Sequence, residues 1–149
     1  MIDPFLMFNV SKYFALAGWF LVLVSLFVPK TRRMIWPVTQ FVAPGLLCFC
    51  YILMVWDGWP YLNLPSSFTE LRGIRDLYAN FGPLTASWLH FLALDLFAGA
   101  WMVRDGVERN MPLPAIFICL PFTFIFGPAG LLLYILLRYL VGRRGAPDA

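Results

Sequence analysis

Two ionisable side chains stand where little water is expected. His90, the only histidine of the chain, and Asp95 both lie in SWLHFLALDLFAGAWMVRDG, residues 87–106, a run apolar enough to cross a bilayer. Ionisable groups at membrane depth are costly and mark a functional site by default. A carboxyl removed from water keeps its proton and serves as an acid, while a neutral imidazole serves as a base near pH 7. The pair therefore suits proton relocation on an apolar substrate, with His90 and Asp95 as its catalytic residues. On a helix His90 lies about 140° round from Asp95. Each then needs a partner on another helix, or the two face one cavity from its edges.

A structural role competes with this. Asp95 would bond an unwound carbonyl near Gly127-Pro128, and His90 would bond Tyr51 or Thr123, as polar glue between helices. Other chemistries fit less well. His90 with Asp95, Asp105 and Glu108 is a carboxylate-rich set, but the last two fall near the membrane surface, so no metal site is expected. A haem would have one histidine, with Met54 or Met102 as its second ligand. No lysine falls inside a span, which excludes a retinal Schiff base. Cys48, Cys50 and Cys119 all sit in apolar runs and read as packing residues.

The elements that must carry these groups follow from composition. The 149 residues are 61% hydrophobic and only 13% charged, with a mean hydropathy of +0.77. Soluble domains run about 45–50% apolar and about 25% charged, so an integral membrane protein is implied. The net charge of +3 is small and the basic residues sit at segment ends, which argues against nucleic-acid binding.

The fold class expected is all-α: one domain over residues 1–149, a bundle of four transmembrane helices at about 11–28, 38–56, 84–104 and 113–140. Met1 to Asn9 reads as an interfacial lead-in, with no cleavable signal or transit peptide. Pro44-Gly45 should kink the second span, and Gly127-Pro128 should kink or unwind the fourth. Between spans 2 and 3 an amphipathic interfacial helix is expected, opened by a capping box at Ser67 to Glu70. Gly99, between Ala98 and Ala100, should let another backbone come close. With four spans, Lys30, Arg32, Arg33, Arg104 and Arg109 face one side and the other six basic residues face the opposite one. That balance does not orient the chain; only the Lys30 to Arg33 cluster favours an inside turn there.

Several motifs together carry a resemblance. Trp88-x-His90-x4-Asp95-Leu-Phe, Arg104-Asp105-Gly106, Pro112-Leu-Pro and Phe126-Gly-Pro-x-Gly130-Leu-Leu-Leu-Tyr134, with Gly18-Trp19 and the Pro29-Lys-x-Arg-Arg turn, resemble the ABA4-like family. Its plant members are plastid proteins required for converting violaxanthin to neoxanthin, an epoxide-to-allene rearrangement. This chain looks like a short bacterial-type member, so the inner membrane of a bacterium is expected.

The resemblance implies a four-span fold associated with a carotenoid or similar polyisoprenoid. Asp95 would be the acid that protonates an epoxide or polyene, and His90 the base that removes a carbon-bound proton. Trp88 and Trp101 would stack on the ligand, with Arg104, Asp105 and Tyr134 as further ligand-binding residues. The residues call for no cofactor beyond a bound carotenoid or lipid. The 15 Phe and 6 Trp suit a long apolar ligand lying between helices. The rival is a non-catalytic pigment- or lipid-binding assembly subunit of a larger membrane complex, such as a photosynthetic unit. Expected partners are membrane lipids, a carotenoid-like small molecule, and a second copy or a larger complex.

Overall fold

A computed structural model describes residues 2–59 and 69–144, with side chains as far as Val141. Among the described residues all regular structure is helical. Helix α1 spans Pro4–Phe27. Asp3 caps it, its Oδ1 accepting from the N–H of Phe5 at 2.9 Å and of Leu6 at 3.4 Å, and Pro4 at the first position has no N–H to leave unpaired. Residues 4–9 are thus the first turns of the spanning helix rather than a separate interfacial lead-in.

The return rod runs from Pro29 to Gly58. It starts as a 3₁₀ turn, Pro29–Thr31, and continues as α2, Arg32–Pro37. A π-helical turn, Val38–Val42, leads into α3, Ala43–Gly58. Pro44 has no N–H to donate and its ring crowds the carbonyl of residue 40. Widening the preceding turn relieves that crowding, and wide turns of this kind recur inside helices. The kink expected at Pro44-Gly45 is therefore taken up just before it. The same turn aims Thr39 and Gln40 into the protein, where both are buried.

After residues 60–68, which hold the start of the expected capping box and lie outside the described residues, comes α4, Leu71–Tyr78. Its Glu70 cap makes no side-chain capping bond. Helix α5, Phe81–Glu108, is the central element and packs against both α1 and α3. Asn80 caps it by accepting from the Gly82 N–H at 3.0 Å. Leu89, Leu96, Met102 and Val103 give it a fully buried stripe. Its far end closes at Asn110, which adopts φ 54°, a left-handed conformation that asparagine tolerates better than most residues.

The fourth apolar run departs from expectation. It is divided at Gly127 into α6, Leu113–Phe126, and α7, Pro128–Arg144. At about 1.5 Å per residue α6 reaches only about 21 Å, short of a hydrocarbon core of about 30 Å. The chain then doubles back. Ile116 near the start of α6 and Tyr134 on α7 both adjoin Gly106, while Gly127 between the two helices touches Asp95, halfway along α5. A break near Gly127-Pro128 was expected; its consequence is a hairpin with both ends on one side, in place of a single kinked span. Among the described residues three helices are long and apolar enough to cross a membrane: Pro4–Phe27, Pro29–Gly58 and Phe81–Glu108.

Cross-links fix which ends lie together. At one end the Ile2 N–H donates to Asp57 Oδ2 at 2.9 Å, and Thr85 Oγ1 donates to the Pro4 carbonyl at 3.4 Å. At the other, Arg104 donates to Gln40 Oε1 at 3.2 Å. The outer surface is apolar, with Phe20, Phe41, Phe49, Phe91 and Ile125 all exposed. Such a shell is suited to lipid and a liability in water.

Candidate functional site

Helix α5 carries most of the residues singled out from the sequence, and its neighbours decide which of them meet. Asp95, at mid-length, is half-buried and faces the α6–α7 hairpin. Its carboxylate packs so closely on Gly127 that a β-carbon there would overlap Oδ1. Only glycine leaves that space. The start of α7 lies at the same point, and the partial positive charge of a helix N-terminus favours an anionic or polar group beside it.

His90 itself turns elsewhere. It is exposed, its ring 5.8 Å from that of Tyr51 on α3 and 5.8 Å from Phe91. Tyr51 is one of the two neighbours expected for it. Thr123, the other, donates instead to the Cys119 carbonyl at 2.9 Å and lies 3.7 Å from Met102 Sδ.

An aromatic groove ends about one helical turn from Asp95, which is not part of its lining. Trp19 of α1 lies under Gly99, one turn beyond Asp95, closely enough that a β-carbon at 99 would overlap its ring. The small residue thus admits an indole rather than a backbone. The same indole meets Phe124 edge-on at 5.5 Å, three residues before Gly127. Trp19 and Phe124 belong to a groove of about 350 Å³ between α1 and α6, continued by Leu16, Phe20, Phe117 and Pro121. A second groove, of about 480 Å³, lies where α1 and α5 begin and includes Phe5, Phe8, Tyr78 and Trp88. Trp88 meets Phe8 there at a tilt, the ring centres 5.3 Å apart, two turns along α5 from Asp95.

Trp101, Asp105 and Tyr134 come together at the other end of α5. The fully buried Tyr134 donates its hydroxyl to Asp105 Oδ2 at 2.7 Å and meets Trp101 edge-on at 5.4 Å. Arg138 reaches the same carboxylate oxygen at 3.1 Å, and Arg109 reaches Oδ1 at 2.9 Å. The hydrogen bond to Asp105 holds the exposed Arg109 guanidinium even more firmly in its charged form. Arg109 and Arg138 were not singled out from the sequence. Each stands four residues after a partner in the cluster, Asp105 or Tyr134, and that spacing was the available signal. Arg104 is not part of the group; it bonds Glu108 at 2.9 Å and Gln40 on the opposite face. Among the described residues no three His, Cys, Asp or Glu side chains gather as a metal-binding set.

Three crossing helices, an apolar shell and a half-depth hairpin whose tip touches a carboxyl define an α-helical membrane protein with several crossings. The family model described as ABA DEFICIENT 4-like matches residues 6–134, and the chain belongs to the ABA4-like family. Among curated proteins it is similar to Protein ABA DEFICIENT 4, chloroplastic, of Arabidopsis thaliana, with 22% identity over 144 residues. The alignment covers 92% of this chain and 62% of the relative, so the chain spans about six-tenths of that protein's length. No solved structure matches.

Proposed function

We infer that the protein takes up a carotenoid-like polyisoprenoid along the α1–α6 groove and isomerises it by acid–base chemistry at Asp95. The observation that carries this reading is the place of Asp95: at mid-depth, against the hairpin tip, one turn from the aromatic groove. A polyene lying among Trp19, Phe20, Phe117 and Phe124 has its Phe124 end nearest the depth of that carboxyl. Membership of the ABA4-like family supports the substrate class, through the xanthophyll-epoxide rearrangement attributed to plant members. In such a step the Asp95 proton passes to the epoxide oxygen as a carbon–oxygen bond breaks. A base takes a proton from the adjacent carbon as the new double bond forms, and the product is an isomer of the substrate. His90 is assigned as that base, which requires its ring to turn from Tyr51 toward the Asp95 side of α5, with Trp101 and Trp88 as outer contacts for the ends of a long ligand. The setting is the cytoplasmic membrane of a bacterium.

The test is conversion of an added epoxy-xanthophyll by the purified protein in detergent or lipid discs. Asp95→Asn and His90→Ala are each expected to abolish product while the variants still insert and fold. Full activity in either removes that residue from the mechanism.

One observation favours a second reading, a non-catalytic carrier or assembly subunit: His90 faces α3 while Asp95 faces the hairpin, so no single cleft holds both. Pigment extraction separates the two. A bound, chemically unchanged carotenoid supports the carrier, and an isomerised product supports the enzyme.

A further inference from the structure

The strongest unexplained feature lies at the hairpin end, away from Asp95. Trp36 on α2 has a buried indole N–H with no acceptor. Buried polar groups without partners are rare and call for a water, an ion or a ligand. Two guanidiniums approach the Trp36 ring, the Cζ of Arg32 and that of Arg104 each 5.9 Å from its centre. Arg32 donates to the carbonyls of Ser25 and Leu26, at 3.0 and 3.2 Å, at the end of α1. Arg104 donates to Glu108 and Gln40. A guanidinium has five N–H donors, so both arginines keep donors beyond these bonds. Lys30 and Arg33 are exposed in the adjoining turn. Four cations therefore stand here with one carboxylate, Glu108, and most of the groups left over are donors.

We propose that Arg32, Trp36 and Arg104 seat the phosphate of an anionic phospholipid from the leaflet that contains the Pro29–Arg33 turn. A phosphate offers acceptors only, which is what these donors lack, and forked guanidinium–phosphate bonds are among the stronger ones. The place selects a lipid over a free anion. The cluster sits at the ends of two spanning rods, where a headgroup lies, and the exposed Phe27, Val38 and Phe41 continue it along the surface that acyl chains would cover. Basic sites between helices at this level commonly hold acidic headgroups.

Native mass spectrometry of the full chain, released from micelles containing equimolar phosphatidylglycerol and phosphatidylcholine, tests this. The unmodified protein is expected to retain phosphatidylglycerol in preference. Trp36→Phe keeps the ring and removes the N–H, and it should lower retention. Arg104→Gln should lower it about fivefold, the fold-change of about 1 kcal/mol for each basic residue at an anionic surface. Arg32→Lys keeps the charge, loses the fork and should fall between, and circular dichroism confirms that each variant is folded. Equal retention of the two lipids, or unchanged retention in folded Trp36→Phe and Arg104→Gln, overturns the proposal. So does inorganic phosphate that binds with the same variant dependence when no lipid preference exists, which would assign the seat to a free anion.

Discussion

Asp95 and Gly127 meet at one point: the carboxylate oxygen occupies the space that a side chain at 127 would need. The hairpin tip and the mid-depth acid are therefore fitted to each other. Gly127→Ala is expected to destabilise the protein by about 1–3 kcal/mol, the usual cost of overpacking. Asp95→Ala in the same chain should recover most of that loss. Unfolding of the two single variants and the double variant in detergent gives the coupling. Strict additivity would show that the contact carries no energy.

Tyr134 and Asp105 fasten the returning arm of the hairpin to α5. Tyr134→Phe removes a hydrogen bond to a charged group and should cost about 1.5–3 kcal/mol. Arg109 reaches the same carboxylate from the exposed side, so Arg109→Ala should cost less than Tyr134→Phe. Thermal unfolding of the two variants ranks them. A larger loss for Arg109→Ala would place the fastening on the surface ion pair instead.

Gly99 and Gly45 make a matched comparison. A β-carbon at 99 would strike the Trp19 ring, whereas one at 45 would meet nothing within 4 Å. Gly99→Ala should therefore destabilise by about 1–3 kcal/mol. Gly45→Ala, in a helix and facing open space, should be stabilising by about 0.4–1 kcal/mol. Unfolding of the two single variants decides, and the opposite order would contradict the α1–α5 packing described above.

The hairpin also changes the charge balance. With both its ends on one side, Lys30, Arg32, Arg33, Arg104, Arg109, Arg138, Arg143 and Arg144 share that side, leaving Lys12, Arg72 and Arg75 toward the other. By the positive-inside rule, eight against three predicts that the hairpin ends lie on the cytoplasmic side of a bacterial inner membrane. In a background lacking Cys48, Cys50 and Cys119, single cysteines at Lys30, Asn110 and Leu140 should label from the cytoplasmic face, and one at Arg72 from the outer face. Labelling of Leu140 from the face opposite Asn110 would restore four crossings.

Three spans were legible because each is a long apolar run with a clear stop, such as Pro29-Lys30 or Arg104-Asp105. The break at Gly127-Pro128 was legible too, since proline and glycine together interrupt a helix. Its angle was not. Local residues say that a helix ends, while packing on α5 decides whether the chain continues outward or returns, and the contacts of Gly106 with Ile116 and Tyr134 settle that. The candidate residues fared similarly. Arg104-Asp105 reads as one motif, yet adjacent positions on a helix point about 100° apart. Arg104 therefore joins Gln40 and Trp36, while Asp105 joins Tyr134. The separation of His90 from Asp95 was readable from the same rotation, whereas the Tyr51 ring beside His90 required the fold.

A hairpin that stops halfway gives the protein unequal waists. Near the Arg109 turn, a slice parallel to the membrane cuts the two hairpin arms as well as the three crossing rods. Beyond the Asp95 level the three rods continue without the hairpin, and the short α4 lies beside the starts of α1 and α5. Among the described residues the hairpin therefore adds two helices to the cross-section of one leaflet only, against the single short α4 at the level of the other. Membrane curvature, as well as lipid charge, bears on where such a molecule gathers.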